Sequence, residues 1–459
     1  MLTSIVMLTY NKLAHTQTCI DSIREYTPAD SYELIVVDNH STDGTIEWLQ
    51  QQADIRAIFN STNLGFPKGC NQGIEIANGD SVLLLNNDTI VTENWLSNLT
   101  TCLFSSSDIG AVGAVTNNCS YSQSVPVNYQ CTEDMHKFAA QFNRSDPAKW
   151  EERLKLVGFC MLIKKSVIDE IGLLDEGFTP GNYEDDDYSL RIRLAGYKLM
   201  LCTDTFIHHF GSISFKEDNN FYSQLLRDNA KKFETKWGFN PIYCTFMRNE
   251  IVTMLDAIPG RTMRVLDIGC ACGGTLLKIK HAFKDVELYG IELNEKSAVS
   301  ASLFAQVSIG DVEQFELDYP ELFFDYIIMA DVLEHMSDPW KVLKKIRKHL
   351  RADGKLIASI PNVMHFSVIR DMINGCWSYQ DEGILDRTHL RFFTSHEISK
   401  ILEETGFQDI ILNFTTIPAN ESDAKFINKL AEITNPNFIS QYLSYQYLVK
   451  ASKSSLPDD

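Results

Sequence analysis

Residues 264–274 read RVLDIGCACGG, and this stretch decides the fold of the half of the chain that contains it. An apolar, β-branched run ends at Asp267, small residues turn the chain, and a helical stretch follows over 275–281. Gly269 and Gly273 let a ligand approach the backbone closely, and the start of the helix offers amides that no helical carbonyl takes up. The next apolar run, 286–291, ends at Glu292, an acid placed to accept both hydroxyls of a ribose. An NAD site shares that arrangement, but G-C-A-C-G lacks the spacing G-x-G-x-x-G. The alternation continues with VSIG before Asp311, FFDYIIMAD at 323–331, a helix over 339–350 and KLIASIP at 355–361. Residues 443–451 (LSYQYLVKA) read as a closing antiparallel edge strand, so this half is an α/β sheet of Rossmann type.

Upstream, the same alternation carries different chemistry. SIVMLTY (4–10), ELIVVD (33–38), 55–59 and SVLLL (81–85) read as strands of a mostly parallel sheet, with helices over 16–26 and 70–77 between them. Ligands of such sheets lie at the carboxyl ends of the strands, where Thr9, Tyr10, Asn11, Asp38 and Asn86 to Asp88 fall. Asp38 suits a base or ribose hydroxyl, and Asp88 suits a divalent cation. Asn86, Asn87 and Asp88 suit a turn equally well, since Asn and Asp bond back to their own backbone. Four consecutive acids, Glu184 to Asp187, open a helix on which Leu190, Leu194 and Tyr197 share a side. Capping accounts for at least two of the four. Repulsion within the set raises at least one pKa, which makes one of them a candidate general base. His208 and His209 follow an apolar strand; a structural role and a metal-ligand role both suit them, and spacing does not choose.

With 459 residues the chain is too long for one ordinary core and divides near AIPGRTM (257–263) into domains 1–255 and 256–459. Hydrophobic residues at 44% and charged residues at 22% describe a globular protein. A net charge of -20 disfavours a nucleic-acid partner. The start MLTSIVMLTY has no basic region and reads as a buried strand rather than a signal peptide, and no run of 18 apolar residues occurs, which leaves only peripheral membrane contact. The eleven Cys are scattered and read as free thiols of a cytoplasmic protein; Cys270 and Cys272 have no second ligand pair to make a zinc site.

The ordered set S-I-V-x-x-T-Y-N (4–11), V-V-D-N-x-S-x-D-G-T (36–45), N-x-G-F (63–66), N-x-G-I (71–74), L-L-N-N-D-T (84–89), G-x-x-x-x-I (158–163) and E-D-D-D-Y-x-L-R (184–191) resembles the inverting family 2 glycosyltransferases of GT-A fold, their rhamnosyltransferase-like branch in particular. The resemblance implies that Thr9, Tyr10, Asn11 and Asp38 hold the nucleoside of a nucleotide-sugar donor, a dTDP-rhamnose or a UDP-sugar. It implies that Asn86 and Asp88 stand at the D-x-D position, that Asp88 with His208 or His209 binds Mn²⁺ or Mg²⁺, and that Asp185 is the base. Asn86 replaces the first acid of that motif, so one carboxylate is gone.

The second half, 262–452, resembles class I S-adenosyl-L-methionine-dependent methyltransferases through V-L-D-I-G-C-x-x-G, D-x-L-E-H (331–335), P-N-V (361–363) and R-T-H-L-R-F-F-T (387–394). The resemblance implies that Asp267, Gly269 and Gly273 line the methionine and ribose, Glu292 the ribose hydroxyls, and Asp311 the adenine. His335 and His389 are candidate bases for a sugar hydroxyl. Some quinone-type relatives bind a metal through an acid-x-x-Glu-His set, which Asp331, Glu334 and His335 repeat, so base and metal both stay open. Residues 364–390 read as a lid or substrate wall, with Trp377 and Tyr379 suited to stacking on a sugar. The combined expectation is a bifunctional enzyme that transfers a sugar to a glycan, lipid-linked glycan or glycoprotein, as in surface or flagellin glycan synthesis, and O-methylates it. The alternative is a glycosyltransferase whose C-terminal half only binds the cofactor or acts as a scaffold.

Overall fold

The computed structural model describes residues 1–211 and 219–454, which form two compact units, Met1–Thr245 and Phe246–Asp459. In the first, strands lie side by side in the order Ile55–Phe59, Tyr32–Asp38, Thr3–Thr9, Ser81–Asn86, Cys160–Lys164, Ile109–Val115, Lys198–Phe206 and Trp150–Arg153. The first four run parallel, and Cys160–Lys164 runs antiparallel to both of its neighbours. Both faces are covered. Ile5 and Met7 enter one core with Ile20 and Ile23 of the helix Leu13–Tyr26 and with Trp95 and Leu99 of the helix Trp95–Leu103. Val6 enters the opposite core with Cys70 and Ile74 of the helix Phe66–Glu75 and with Tyr188 and Ile192 of the helix Glu184–Leu194. Strands buried on two faces read as unbroken apolar runs, which is why 4–10, 33–38 and 81–85 stand out in the sequence. Each fully buried Ile or Leu contributes roughly 1.5–3 kcal/mol.

Two local readings change. The helix expected over 70–77 begins at Phe66, because Gly65 at φ 82 turns the chain and Pro67 sits in the first helical turn. That helix lies so close to the strand Thr3–Thr9 that a Cβ at Gly69 or Gly73 would collide with Leu8 or Val6. The helix Glu184–Leu194 faces the sheet through Tyr188 and Ile192, whereas Leu194 is exposed and Tyr197 lies beyond the left-handed Gly196 that ends the helix. Of Leu190, Leu194 and Tyr197, Leu190 is buried and Tyr197 packs against this core from beyond the helix, while Leu194 faces solvent.

The second unit has strands in the order Gln306–Ile309, Val286–Glu292, Met263–Ile268, Phe324–Ala330, Leu350–Pro361, Ser444–Lys453 and Phe407–Thr416. The first five are parallel; Ser444–Lys453 runs antiparallel to both neighbours. The unit begins ahead of the punctuated segment 257–263 because the short helix Asn249–Val252 buries Ile251 with Val265, Leu276 and Ile279. Within 364–390 the helix Phe366–Ile373 adds Phe366 to a small core with Ile427, Leu430 and Tyr442. Among the described residues no helix is long and apolar enough to cross a membrane.

Candidate functional sites

In the first unit, Asp38 closes the strand Tyr32–Asp38 fully buried. Its Oδ1 accepts the Ser41 amide at 2.8 Å, while Oδ2 is buried without a partner. A bare buried carboxylate oxygen is costly until a donor reaches it. Asn11, at φ 57, donates its amide to Ser41 Oγ at 2.7 Å and accepts the Thr42 amide at 2.8 Å, so the loops after the first two strands are tied together. Thr9 is buried against Thr16 at 3.0 Å, and Tyr10 is exposed.

Asn87 and Asp88 form a turn between Ser81–Asn86 and Thr89–Ile90. The turn also delivers Asp88 to a histidine: Thr89–Ile90 pairs with His208–His209, and Asp88 Oδ1 lies 3.2 Å from His209 Nε2. His209 Nδ1 is 2.9 Å from the Asn118 carbonyl, which can only accept, so Nδ1 carries the proton and Nε2 presents a lone pair. That lone pair is buried, has no hydrogen-bond partner and faces a carboxylate, an arrangement that suits a cation between them. His208 differs: its Nδ1 meets the Tyr129 hydroxyl at 2.6 Å, and burial, then His209, pull its pKa down.

The four acids at 184–187 separate by partner. Asp187 takes Arg191 Nε at 2.9 Å and Trp237 Nε1 at 2.8 Å, and Asp186 takes Lys155 Nζ at 2.5 Å. Among the described residues no cation touches Asp185; its Oδ2 accepts the Gly158 amide at 2.9 Å and its Oδ1 the Asp186 amide at 3.0 Å. Burial, then Asp186, push its carboxyl up to about 6. Glu184 is buried with Oε2 unpartnered, and burial pushes it well up.

In the second unit, Gly269 at φ 74, Ala271 at φ 48 and Gly273 at φ 84 shape the turn after Met263–Ile268. The Ala271 amide donates to Glu292 Oε2 at 2.8 Å and the Asn294 amide to Oε1 at 2.8 Å. Glu292 is thus oriented by the glycine turn and by its own loop, with lone pairs left on both oxygens. Asp267 is buried beneath, and desolvation, then Glu292, push its carboxyl up to about 8. Asp311 Oδ1 accepts the Glu313 amide at 2.8 Å.

A second cluster follows the strand Phe324–Ala330. Asp331 is fully engaged: Oδ1 accepts Ser359 Oγ at 2.8 Å and Gln446 Nε2 at 2.9 Å, and Oδ2 pairs with Arg248. Glu334 is the opposite, buried with neither oxygen partnered. The amides of Leu390 and Arg391 donate to the Glu334 carbonyl at 2.8 and 3.0 Å, which brings His389 to within 4.8 Å of His335, ring to ring. One ligating atom each of Glu334, His335 and His389 lies within 4.8 Å of the others, the one such group among the described residues. His389 Nδ1 meets the Ile384 carbonyl at 2.9 Å, which leaves its Nε2 as a lone pair. His335 Nδ1 lies 3.3 Å from the Thr388 carbonyl and 3.2 Å from its hydroxyl. Trp377 packs edge-on against Phe392, and Tyr379 is exposed. Cys270 and Cys272 are free and buried.

Residues 4–172 match the Glycosyl transferase family 2 profile, and residues 242–412 match a Methyltransferase domain profile. The chain carries a family 2 glycosyl transferase domain followed by a methyltransferase domain. It is 30% identical over 179 residues to the low-salt glycan biosynthesis hexosyltransferase Agl10 of Haloferax volcanii, covering 37% of this chain and 56% of that protein. It is 26% identical over 194 residues to the ubiquinone biosynthesis O-methyltransferase of Idiomarina loihiensis, covering 40% of this chain and 76% of that protein. A solved mannosyltransferase from Pyrobaculum calidifontis, in complex with GDP-Man and Mn²⁺, covers 50% of this chain and 63% of its own at 19% identity and a TM-score of 0.38. The chain spans only 25% to 56% of the length of several curated relatives that it matches.

In the glycosyl transferase domain, sequence reading missed Lys155, and in the methyltransferase domain it missed Arg248. Arg248 reaches Asp331, Ser359 and Glu250, with its amide on Thr275. Neither residue stands in a recognisable motif; each acquires its role from a partner far away in sequence, which periodicity does not report.

Proposed function

We propose that the chain is a bifunctional cytoplasmic enzyme: an inverting glycosyltransferase that uses a dTDP-rhamnose or UDP-sugar donor, joined to a sugar O-methyltransferase. The observation that carries the first activity is Asp185, an acid on the helix's first turn whose two oxygens are oriented by the Gly158 and Asp186 amides. It would take the proton from the acceptor hydroxyl as that oxygen attacks the anomeric carbon, and the single in-line step inverts it. A carboxyl at about 6 is a stronger base than an exposed one and is still ionised at neutral pH. Asp38 Oδ2 would receive a donor group of the nucleoside. A divalent cation fits between Asp88 and His209, and when bound it would offset charge on the departing diphosphate. His208, engaged by Tyr129, is the weaker ligand candidate.

In the methyltransferase domain, Asp267, Gly269, Gly273, Glu292 and Asp311 would hold S-adenosyl-L-methionine, which supplies the methyl group. The bare, buried Glu334 beside two imidazoles favours a divalent cation at Glu334, His335 and His389 over a lone histidine base. Such a cation would lower the pKa of a bound sugar hydroxyl. Asp331 would stay outside that set, since Arg248, Ser359 and Gln446 occupy it. The acceptor is proposed as a glycan, free, lipid-linked or on a protein, in the manner of a surface or flagellin glycan.

The test incubates the protein with a panel of nucleotide sugars, Mn²⁺ and S-adenosyl-L-methionine on a synthetic glycan acceptor, and weighs the products. A sugar increment followed by a methyl increment is expected. Sugar addition with no methylation would favour the scaffold reading of the C-terminal half, and no sugar addition from any donor would sink the first activity.

A further inference from the structure

We infer that Lys155 is a positioning residue for Asp185: by pairing with Asp186 it leaves Asp185 as the carboxylate available to a substrate proton. The inference rests on the reading of Asp185 as base. Two carboxylates on successive residues of one helical turn compete for the same proton, and something must decide between them. The decision here is geometric. Lys155 Nζ lies 2.5 Å from Asp186 Oδ1, with the two side chains only 16% and 11% exposed, and stands 4.8 Å above the ring of Tyr121. The segment carrying Lys155 is itself fastened to the helix Glu184–Leu194. The Leu156 amide donates to Ser189 Oγ at 3.1 Å, the Gly158 amide to Asp185 Oδ2 at 2.9 Å, and the Val157 amide to Gln123 Oε1 at 2.8 Å. One short stretch, 155–158, therefore neutralises Asp186 and orients Asp185 together.

The other titratable groups that bear on Asp185 are Glu184 on its own helix, Cys119 from the loop after Ile109–Val115, Tyr183 at the helix start, and Tyr222 from the helix Asn219–Trp237, while Tyr121 bears on Lys155 and Asp186. Burial pushes all five upward, and Glu184 and Asp185 raise each other. Among the ionic neighbours of Asp185, Asp186 opposes its ionisation and Lys155 favours it.

The experiment is the pH–rate profile of sugar transfer for the full chain, wild type and the variants K155M, K155R, D186N and the double variant K155M/D186N, with folding followed by circular dichroism. K155M is expected to move the acid limb up by about one pH unit, a roughly five- to sixfold loss of turnover near pH 6 that largely recovers at pH 8. K155R should restore the limb, and D186N in the K155M background should move it back, because the anion that Lys155 offsets is gone. A uniform loss at every pH with an unmoved limb would mean a merely structural role and would overturn the inference. Should K155M fail to fold, D186N alone decides: its limb must move down. D185N in the same assay separates the two readings, since retained turnover there would remove the base assignment itself.

Discussion

Asp267→Asn should stabilise the methyltransferase unit while weakening its hold on S-adenosyl-L-methionine. Asp267 is 4% exposed, and desolvation followed by the nearby Glu292 lifts its carboxyl from the ordinary 3.8 to about 8. A raised carboxyl means that the folded state binds a proton which the unfolded chain has released. Stability therefore falls as pH rises from about 4 to about 8, by about 1.4 kcal/mol per pH unit at most. Between pH 6 and pH 8 that amounts to roughly 2.3 kcal/mol, because the slope has halved at the folded pKa, and about half survives once relaxation and water penetration around a buried charge are allowed for. Asparagine has nothing to ionise, so the variant's advantage should grow by about 1.2 kcal/mol over that interval. For a unit of this size the growth corresponds to ~2–5 °C in Tm. The assay is calorimetry of wild type and variant at pH 6, 7 and 8, with cofactor affinity measured by titration alongside. A Tm gap that stays constant across the three pH values would refute the reasoning, because a constant gap reports packing and not ionisation.

Other perturbations probe the remaining chemistry. Asp185→Asn should lower sugar transfer by ~10²–10⁴ with nucleotide-sugar affinity nearly intact, measured by turnover and by titration. In the wild type, transfer should fall as pH drops through about 6, because the base must be ionised; a flat profile down to pH 5 would count against Asp185. Asp88→Asn and His209→Ala should each weaken Mn²⁺ binding by roughly 10- to 100-fold, on the order seen when a metal site is disturbed, whereas His208→Ala should cost less. Electron paramagnetic titration of Mn²⁺ checks the ranking, and equal losses at 208 and 209 would contradict it. Gly73→Ala should destabilise the glycosyl transferase unit, since overpacking against Val6 costs about 1–3 kcal/mol while the helix regains only ~1 kcal/mol. In urea unfolding, adding Val6→Ala should relieve part of that loss, and strict additivity of the two changes would argue against the contact.

What could be read in the sequence followed from how each residue acquires its role. Strand ends were legible because a run buried on two faces is apolar until it leaves the sheet: Asp38, Asn86 and Glu292 each close a strand, and Asp267 stands one residue before the end of its own. The packing face of the helix Glu184–Leu194 was not legible, because its inward residues Tyr188 and Ile192 stand amid charges while an apolar Leu194 points to solvent. Periodicity counts residue types, and a tyrosine ring or a lysine stem buries apolar surface without announcing it. The candidate sites mark a second limit. Nothing local distinguishes Asp185 from Asp186 or Glu334 from Asp331; in each pair one acid is engaged by a distant cation and the other is left without a cation. Lys155 and Arg248 perform the same selection in the two domains, each removing one carboxylate from competition. On the proposed reading, the acid assigned to chemistry in each domain is marked by the cation it lacks among the described residues and not by the motif. Removing either cation should then disturb the acid it touches first and the neighbouring acid through it.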